Sequence, residues 1–389
     1  MTESVPRRDF FGYCRPDGQV GIRDHILILG INGLVARAAE RIHQGVPGTL
    51  LVASPFGRGQ YGADKDAHRR QMIGLACNPN VAATLIVGAD RMAAEEVAHQ
   101  IPGGMVQIVT LDDTGQDAQE LAARGIRCAA ALVRSASRNR RERVSSSYLF
   151  LGVECGQSDA TSGLVSNPLA GMVVNRLVDQ GGRAVFGETI EWLGAEHILS
   201  GRAASPQVAE AITAAVACRE AAAAATGVDL TGNNPSPENI RGGLSSIEEK
   251  SLGAIAKGGV SPIRGVLELA ESPSAPGLYV MDGPSFTPES MTGFVAAGVQ
   301  IMLFTTGVGN SYCSAIAPTI KIGGRPDAVR RLTTQIDFDA SPLFDGRENF
   351  DELTDGLFTL LLDVASGFKT WGEVLGESGE SIVRLHGSL

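Results

Sequence analysis

Aromatic residues are scarce in this chain, and so are the features that mark secreted, membrane and zinc-binding proteins. Only 5% of its 389 residues are Phe, Trp or Tyr, yet 43% are hydrophobic, which is enough to bury a large core divided into two or three domains. The six cysteines show no CxxC spacing, so neither a disulfide framework nor a zinc ribbon is indicated. No signal peptide and no bilayer-spanning apolar run is evident. We therefore expect a cytoplasmic protein with no membrane partner.

Positive charge is also in short supply. The chain has 33 Lys and Arg residues against 43 Asp and Glu residues, a formal net charge of -10. Because phosphate binding needs concentrated Lys and Arg, nucleic acid is not expected as a partner and a small molecule is favoured. The one arginine-rich run, RSASRNRRERVSSS at residues 134–147, is interpreted as a solvated helix end and linker in preference to a phosphate-binding patch.

Apolar runs alternate with helical patterns along the chain. HILILG, TLLVASPFG, ATLIVGAD and MVQIVTL are typical of strands, while VARAAERIHQGV, MAAEEVAHQI and DAQELAARGIRCAAALV have helical spacing. After the arginine-rich linker, YLFLGVE begins a second α/β series. The pattern predicts two Rossmann-like or doubly wound α/β regions with parallel sheets, at residues 1–140 and 141–389, with the main active-site loops in the second.

The stretch LGVECGQSDATSGLVSNPLAG, residues 151–171, crowds acidic, thiol, hydroxyl and amide side chains between glycines directly after a predicted strand. Glycines permit left-handed backbone and expose N–H groups to an anion, and the polar side chains can supply acid, base or metal ligation. A turn that satisfies only its own backbone is the alternative. Further polar, glycine-framed stretches at predicted strand ends favour an active site: GETIEWLGAEHIL, GNNPSPENIRGGLSSIEEKSLGAIAKGG, VMDGPSF and LFTTGVGNSYCSAIAPTIKI.

Taken together, these stretches resemble the altronate and galactarate dehydratase family, which includes a sulfolactate-cleaving branch. GYCRPDGQVGIRDHILIL and GLACNPNVAATLIVGAD extend the resemblance into the first region, so that it covers nearly the whole chain. It implies a lyase that removes the proton alpha to a carboxylate and expels a group from the beta carbon. It also implies that a small separate domain or subunit completes the enzyme, and we expect an oligomer.

The chain departs from the family pattern at three positions in its first region. Arg58 and Arg91 stand where the dehydratases carry cysteines, and Phe56 stands where they carry a histidine. If those cysteines help to hold a metal in the dehydratases, guanidinium groups would dismantle or weaken that site. The arginines are then candidates for binding an anionic group; the alternative is that they lie on the surface or pair with Asp64 and Asp90.

The departures favour one branch of the resemblance. Hydroxide is a poor leaving group that needs a Lewis acid or a proton donor, whereas sulfite leaves more readily and suits the planar fork of arginine. We therefore predict the large subunit of an enzyme that eliminates sulfite from sulfolactate to give pyruvate. A metal-dependent sugar-acid dehydratase that yields a 2-keto-3-deoxy acid is one alternative, and a non-catalytic binding subunit is the other.

Candidate site residues follow from the motifs and the resemblance. The general base is sought among Lys250, Lys257, Glu188, Glu191 and His197, which the sequence does not rank, and His197 has a core position as its alternative. Candidate ligands of a divalent metal such as iron are Glu154, Cys155 and Asp282. A buried thiol is the alternative for Cys155, and a solvated strand end is the alternative for Lys321. Candidate substrate-binding residues are Arg58, Arg91, Ser158, Asp159, Asn167, Thr305, Thr306 and Lys321.

Overall fold

Two parallel β-sheets, one of four strands and one of seven, organise the residues that the computed structural model describes: 9–57, 59–103, 105–228 and 235–384. In chain order the strands are β1 (Asp9–Cys14), β2 (Val20–Gly21), β3 (His25–Gly30), β4 (Thr49–Ala53), β5 (Val81–Gly88), β6 (Met105–Thr110), β7 (Glu142–Ser145), β8 (Phe150–Cys155), β9 (Arg183–Phe186), β10 (Ile263–Leu267), β11 (Gly277–Met281), β12 (Ile301–Thr306), β13 (Thr319–Gly323) and β14 (Phe338–Asp339).

Helices cover both sheets. In chain order the α-helices are α1 (Ala36–Gly45), α2 (Gly62–Ala76), α3 (Arg91–Ala98), α4 (Ala118–Ala136), α5 (Asn167–Asp179), α6 (Glu196–Gly201), α7 (Pro206–Ala225), α8 (Pro237–Arg241), α9 (Ile247–Ile255), α10 (Thr287–Ala296), α11 (Pro326–Arg331), α12 (Ser341–Phe344), α13 (Phe350–Ala365) and α14 (Trp371–Leu375). The predicted α/β fold with parallel sheets is confirmed.

The four-stranded sheet has the order β4-β3-β5-β6, and all of its neighbouring strands are parallel. Its central strand β3 is apolar on both faces because helices lie on both sides of it. Ile26 and Ile28 pack in a core with residues of α1 and α4. Leu27 and Leu29 point the other way, into a core that includes residues of α2 and α3. Because successive side chains of β3 point to opposite faces of the sheet, α1 and α4 pack on one face and α2 and α3 on the other.

The seven-stranded sheet has the order β10-β11-β9-β8-β12-β13-β14. From β8 the chain proceeds to β9 on one side, and it later returns to place β12 on the other side of β8. All six residues of β8 are buried, as expected for a central parallel strand covered on both faces. The reversal of strand order beside β8 creates the crevice at the carboxyl strand ends where α/β proteins bind ligands.

The two sheets share one hydrophobic core and a buried polar seam. The core that contains Leu27 and Leu29 continues into residues of β8, α10 and β12. In the seam, the Asn80 side-chain amide donates hydrogen bonds to the carbonyls of Gln300 (2.8 Å) and Ile316 (3.0 Å), and its oxygen accepts one from the Ile22 N–H (2.8 Å). These bonds tie the first region to the larger sheet without an intervening solvent layer.

The arginine-rich run at residues 134–147 is more ordered than a solvated linker. Its last part forms β7, which pairs antiparallel with β1 in a small sheet of order β2-β1-β7. Arg141 donates hydrogen bonds to the carbonyls of Phe11 (2.6 Å), Ala365 (3.0 Å) and Ile22 (2.8 Å). The linker interpretation is therefore wrong for this part, because edge pairing and carbonyl acceptors draw the run onto the protein.

The C-terminal segment, residues 377–384, connects the larger sheet back to the first region. The buried Glu380 carboxylate accepts hydrogen bonds from the Ser314 hydroxyl (2.6 Å), the Ala315 N–H (3.0 Å) and the Thr292 hydroxyl (3.0 Å). Farther along, the Val383 N–H donates to the Gln71 side chain on α2 (2.8 Å). The segment thus contacts both regions of the fold.

Candidate active site

A polar cleft of about 400 Å³ lies at the carboxyl ends of the central strands of the larger sheet. It is the crevice that the reversal of strand order predicts. Residues after β8, residues after β9, and the first turns of α8 and α10 contribute its walls. Its lining consists of Cys155, Gly156, Gln157, Ser158, Glu188, Ile190, Glu191, Ser236, Glu238, Asn239, Lys250, Ser285 and Thr287.

Beneath the cleft, a buried lysine stands at the centre of three acidic or thiol groups. The Lys257 ammonium donates to Glu154 Oε1 (2.5 Å), Glu191 Oε2 (2.7 Å) and Cys155 Sγ (3.2 Å). Only about 1% of the Lys257 side chain is exposed, so the charge is compensated by these neighbours and not by water. We call Lys257, Glu154, Cys155 and Glu191 the buried lysine cluster.

The protonation of the cluster follows from its contacts. Burial alone would lower the pKa of Lys257, but the surrounding groups outweigh it and raise that pKa well above its usual value. Burial alone would raise the pKa of Glu191, but Lys257, Lys250 and hydrogen bonds lower it to about 2. Burial raises the pKa of the Cys155 thiol, which donates to Glu191 at 3.3 Å. Burial raises the pKa of the fourth member, Glu154. The cluster therefore combines the Lys257 ammonium and the Glu191 carboxylate with a neutral thiol.

The three residues that accept hydrogen bonds from Lys257 are also of the types that can bind a metal ion. The ligand atoms of Glu154, Cys155 and Glu191 lie within 4.8 Å of one another. The arrangement does not fit a divalent cation, because the Lys257 ammonium already contacts an oxygen of each glutamate and the Cys155 sulfur. Asp282, the third metal ligand expected from the sequence, lies apart and accepts hydrogen bonds from Arg219 (2.8 Å) and Thr189 (2.7 Å).

The second lysine of the site faces the cleft. Lys250, on α9, places its ammonium 3.5 Å from Glu191 Oε1, and 15% of its side chain is exposed. Glu191 thus lies between two lysines, one buried beneath the cleft and one at its surface. A cation at the cleft surface is suited to pair with an anionic group of a ligand.

Glu188 combines unusual backbone geometry with an unusual carboxyl group. It follows β9 and Gly187, and its φ of 59° lies in the left-handed region that non-glycine residues rarely adopt. Its carboxylate accepts a hydrogen bond from the Thr287 hydroxyl (3.0 Å). Burial and the neighbouring carboxyl groups of Glu154 and Glu191 raise the pKa of Glu188 well above its usual range. A carboxylate with a raised pKa is a stronger base than an ordinary one.

The glycine-rich loop after β8 forms another wall of the cleft. Gln157 is also left-handed (φ 52°), and it lines the cleft together with Ser158. Asp159 turns away from the cleft to cap the following helix, where its Oδ1 accepts from the N–H groups of Thr161 (2.9 Å) and Ser162 (3.2 Å). The loop is therefore followed directly by a capped helix, whose first part is a π-helical turn at Ser162–Ser166.

Other predicted substrate-binding residues are engaged with protein groups below the cleft. The Thr305 hydroxyl donates to the Asn167 side chain, and the Asn167 amide donates to the Gly253 carbonyl. Thr306 accepts from the Gly309 N–H (3.0 Å). Lys321 is buried and its ammonium donates to the Asn310 carbonyl, so the solvated strand end considered for it is wrong. None of these four predicted residues is among those that line the cleft.

Two further candidates lie on exposed surfaces. Arg91 begins α3, is about half exposed, and pairs with Glu95 (2.8 Å) and Asp113 (3.1 Å). The surface position considered as its alternative therefore holds, but its partners are not Asp64 or Asp90. His197 is exposed on α6, so a core position for it is wrong, and it is not among the cleft-lining residues. Arg58 lies outside the described residues.

Sequence reasoning missed two hydroxyl groups on α10 that orient the acidic side chains. The Ser290 hydroxyl donates to Glu154 Oε2 (2.8 Å), and the Thr287 hydroxyl donates to Glu188. Both residues belong to the polar stretch after β11. They are three residues apart, so they lie on the same side of a helix, but the sequence does not reveal that α10 turns this side toward the cleft.

Among the described residues, no helix is both long and apolar enough to cross a bilayer.

Comparison with known proteins gives the family. Residues 146–387 match the family model described as D-galactarate/Altronate dehydratase, C-terminal, and residues 12–137 match D-galactarate dehydratase/Altronate hydrolase, second domain. The chain belongs to the D-galactarate/altronate dehydratase family. The sequence-based assignment to this family is confirmed, and so is the prediction of a lyase.

The similar proteins differ in name and in extent. The (2R)-sulfolactate sulfo-lyase subunit beta of Chromohalobacter salexigens is 38% identical, and the alignment covers 98% of each chain. The altronate dehydratase of Bacillus subtilis is 28% identical over 94% of this chain and 75% of its own length. The galactarate dehydratase (L-threo-forming) of Escherichia coli is 32% identical over 77% of this chain and 56% of its own length. This chain thus aligns with 56–75% of the length of these two dehydratases.

Proposed function

We propose that the chain is the large subunit of a (2R)-sulfolactate sulfo-lyase, which eliminates sulfite from sulfolactate to give pyruvate. The observation that carries the proposal is the 38% identity over 98% of both chains to a sulfo-lyase subunit beta. The dehydratases are 28–32% identical and are matched over at most three quarters of their length. We further propose that the enzyme acts in the cytoplasm.

Glu188 is the proposed base. A carboxylate with a raised pKa is more basic than an ordinary one, and this carboxyl group lines the cleft. It takes the proton from C2 of sulfolactate, and the electron pair of that C–H bond forms the C2–C3 double bond. The C3–S bond breaks and its pair leaves with sulfite. The remaining enolpyruvate tautomerises to pyruvate as its hydroxyl proton is lost and a proton is added at C3.

Lys250 is the proposed partner of the substrate carboxylate. Charge that builds up beside C2 as the proton leaves is delocalised into this carboxylate, so a cation beside it stabilises the transition state. Lys250 is the lysine that lines the cleft, whereas Lys257 is held beneath it. We expect Lys250→Met to lower kcat/KM about 100-fold, measured as sulfite release, with Lys250→Arg recovering part of the loss.

The sulfonate group needs cations of its own. Arg58 and Arg91 remain our proposed sulfonate ligands, because they replace the cysteines of the family pattern and a planar fork suits a sulfonate. For Arg91 this role requires that the substrate compete with Glu95 and Asp113. Replacement of each by Lys should raise KM for sulfolactate, and unchanged KM and kcat in both variants would remove the sulfonate pocket from the proposal.

A small partner subunit is part of the proposal. The sulfo-lyase relative is named subunit beta, which implies a second subunit in that enzyme. We propose that the small subunit covers the cleft, which is open to solvent at Glu238 and Lys250, and that the enzyme is an oligomer.

The decisive experiment is co-expression of the chain with its small partner, followed by assay of sulfite and pyruvate released from (2R)-sulfolactate. Equimolar sulfite and pyruvate are expected, with little turnover by the large chain alone. The control substrates are altronate and galactarate, assayed for 2-keto-3-deoxy acid. Turnover of a sugar acid without turnover of sulfolactate would replace the proposal with a dehydratase, and binding without any turnover would indicate a non-catalytic subunit.

The sugar-acid dehydratase stays as a second candidate because of the cleft lining. Ser158, Ser236, Ser285 and Thr287 line the same cleft as Glu188, and their hydroxyl groups suit the several hydroxyls of a sugar acid as well as a sulfonate. In that reaction the same base would remove the alpha proton and hydroxide would leave from the beta carbon. A second acid would then have to protonate the departing hydroxyl.

A further inference from the structure

The hydrogen-bonding capacity of Lys257 is saturated by the buried lysine cluster. An ammonium group has three N–H donors, and the three atoms that Lys257 contacts are a carboxylate oxygen of Glu154, a carboxylate oxygen of Glu191 and the sulfur of Cys155. Ligand atoms of the same three residues lie within 4.8 Å of one another, close enough to surround one cation. The ammonium therefore stands where a metal ion would bind.

The backbone that carries Lys257 has little freedom to withdraw. Lys257 lies in the short 3-10 turn Ala256–Gly258, directly after α9. A side-chain carbon added at Gly258 would come within 2.3 Å of the Phe186 ring, and Gly259 has a φ of 63° and packs against Gly171 and Asn175. These close approaches, which glycine alone permits, hold the turn against the core and keep the ammonium in the cluster.

We propose that Lys257 is the resident cation of this site, a positioning residue that takes the place of a divalent metal among Glu154, Cys155 and Glu191. Its ammonium orients the Glu191 carboxylate toward Lys250 and keeps the Cys155 thiol from becoming a metal ligand. This inference concerns the cation beneath the cleft and does not depend on whether sulfite or hydroxide is the leaving group.

The proposal is tested by removing the ammonium and offering a metal. In Lys257→Ala two buried carboxyl groups and a thiol lose their cation, so we expect the Tm to fall by about 10 °C. Added Mn²⁺ or Co²⁺ should raise the Tm of this variant and leave the Tm of the unchanged chain as it was. With Co²⁺ the variant should also develop a cobalt–thiolate charge-transfer band. Lys250→Ala is the matched control, because it removes the other lysine beside Glu191 without opening the cluster.

Two results would overturn the proposal. One is a cobalt–thiolate band in the unchanged chain that disappears in its Glu154→Gln variant, since Lys257 would then not exclude a metal. The other is a folded Lys257→Ala variant that neither binds nor is stabilised by Co²⁺. If Lys257→Ala does not fold, Lys257→Met takes its place. Titration of Co²⁺ into this variant and into the wild-type chain then decides between the outcomes. None of these readouts uses lyase activity, so their failure is distinct from failure of the proposed function.

Discussion

At the scale of single residues, the site depends on which of several similar side chains the fold turns inward. Lys250 and Lys257 occur in one short polar stretch, and the sequence offers no reason to choose between them. The structure separates them because α9 ends at Ile255 and the following turn directs Lys257 beneath the cleft, while Lys250 stays on the helix at its surface. The sequence was enough to predict that the acidic residues belong to the site. It was not enough to predict which of them is protonated, because that depends on how deeply each is buried.

The Glu188 carboxyl group provides the sharpest test at this scale. Glu188→Gln keeps the size of the side chain and removes its basic carboxylate, so we expect kcat to fall by about 10² to 10⁴ with a small change in KM. Exchange of the substrate's alpha proton with deuterated solvent should fall in parallel. The control is Glu348→Gln, at an exposed glutamate outside the cleft, which should retain nearly full activity. Equal losses in both variants would exclude a specific role of Glu188 as the base.

At the scale of elements, the regular strands and helices followed from apolar periodicity, but their irregular junctions did not. The HILILG strand and the VARAAERIHQGV helix are present as β3 and α1. By contrast, β7 pairs only with the distant β1, and a pairing between residues so far apart leaves no local pattern. The π-helical turn before α5 likewise reflects packing of the loop after β8, not helix propensity.

The cap of that helix can be tested separately from substrate binding. Asp159→Ala should lower the free energy of unfolding by about 1 to 2 kcal/mol, because two N–H groups of the first turn lose their acceptor. Asp159→Asn should retain most of the stability, since Asn is an equally good N-cap residue. Urea unfolding of both variants is the measurement. Equal destabilisation would mean that the negative charge facing Arg325, 3.6 Å away, outweighs the cap.

At the scale of the whole molecule, the two α/β regions behave as one body because polar side chains are buried between them. Asn80→Ala would leave the Ile22 N–H and the carbonyls of Gln300 and Ile316 without their partner. We expect a loss of roughly 3 kcal/mol in the free energy of unfolding, measured by urea titration. Asn139→Ala, at an exposed asparagine, is the control and should change it by less than about 0.5 kcal/mol. A neutral Asn80→Ala variant would contradict the role of the seam.

The same seam makes stability depend on acidity. Burial, together with the nearby Arg23 guanidinium, lowers the pKa of His25 from 6.5 to about 4. Between pH 4 and pH 6.5 the His25 imidazole is protonated in the unfolded chain but neutral in the folded chain. The free energy of unfolding therefore falls as the pH decreases from 6.5 toward 4, by at most about 3 kcal/mol. The difference in unfolding free energy between pH 7 and pH 4.5 should shrink in His25→Gln. The control His99→Gln, at an exposed histidine, should show the same pH-dependent difference as the wild-type chain. If His25→Gln also shows that difference unchanged, His25 is excluded as the source of the acid sensitivity.

The contact between Val383 and Gln71 has a consequence for the order in which the protein is made. Gln71 belongs to α2, whereas its partner Val383 is translated 312 residues later. Glu380, which bonds to the turn at Ser314 and Ala315, emerges nearly as late as Val383. A nascent chain can therefore assemble its four-stranded sheet well before it gains these contacts, which form only after Glu380 and Val383 have emerged. Until then, the surface around Gln71 stays open, and a chaperone that binds nascent polypeptides would find it accessible.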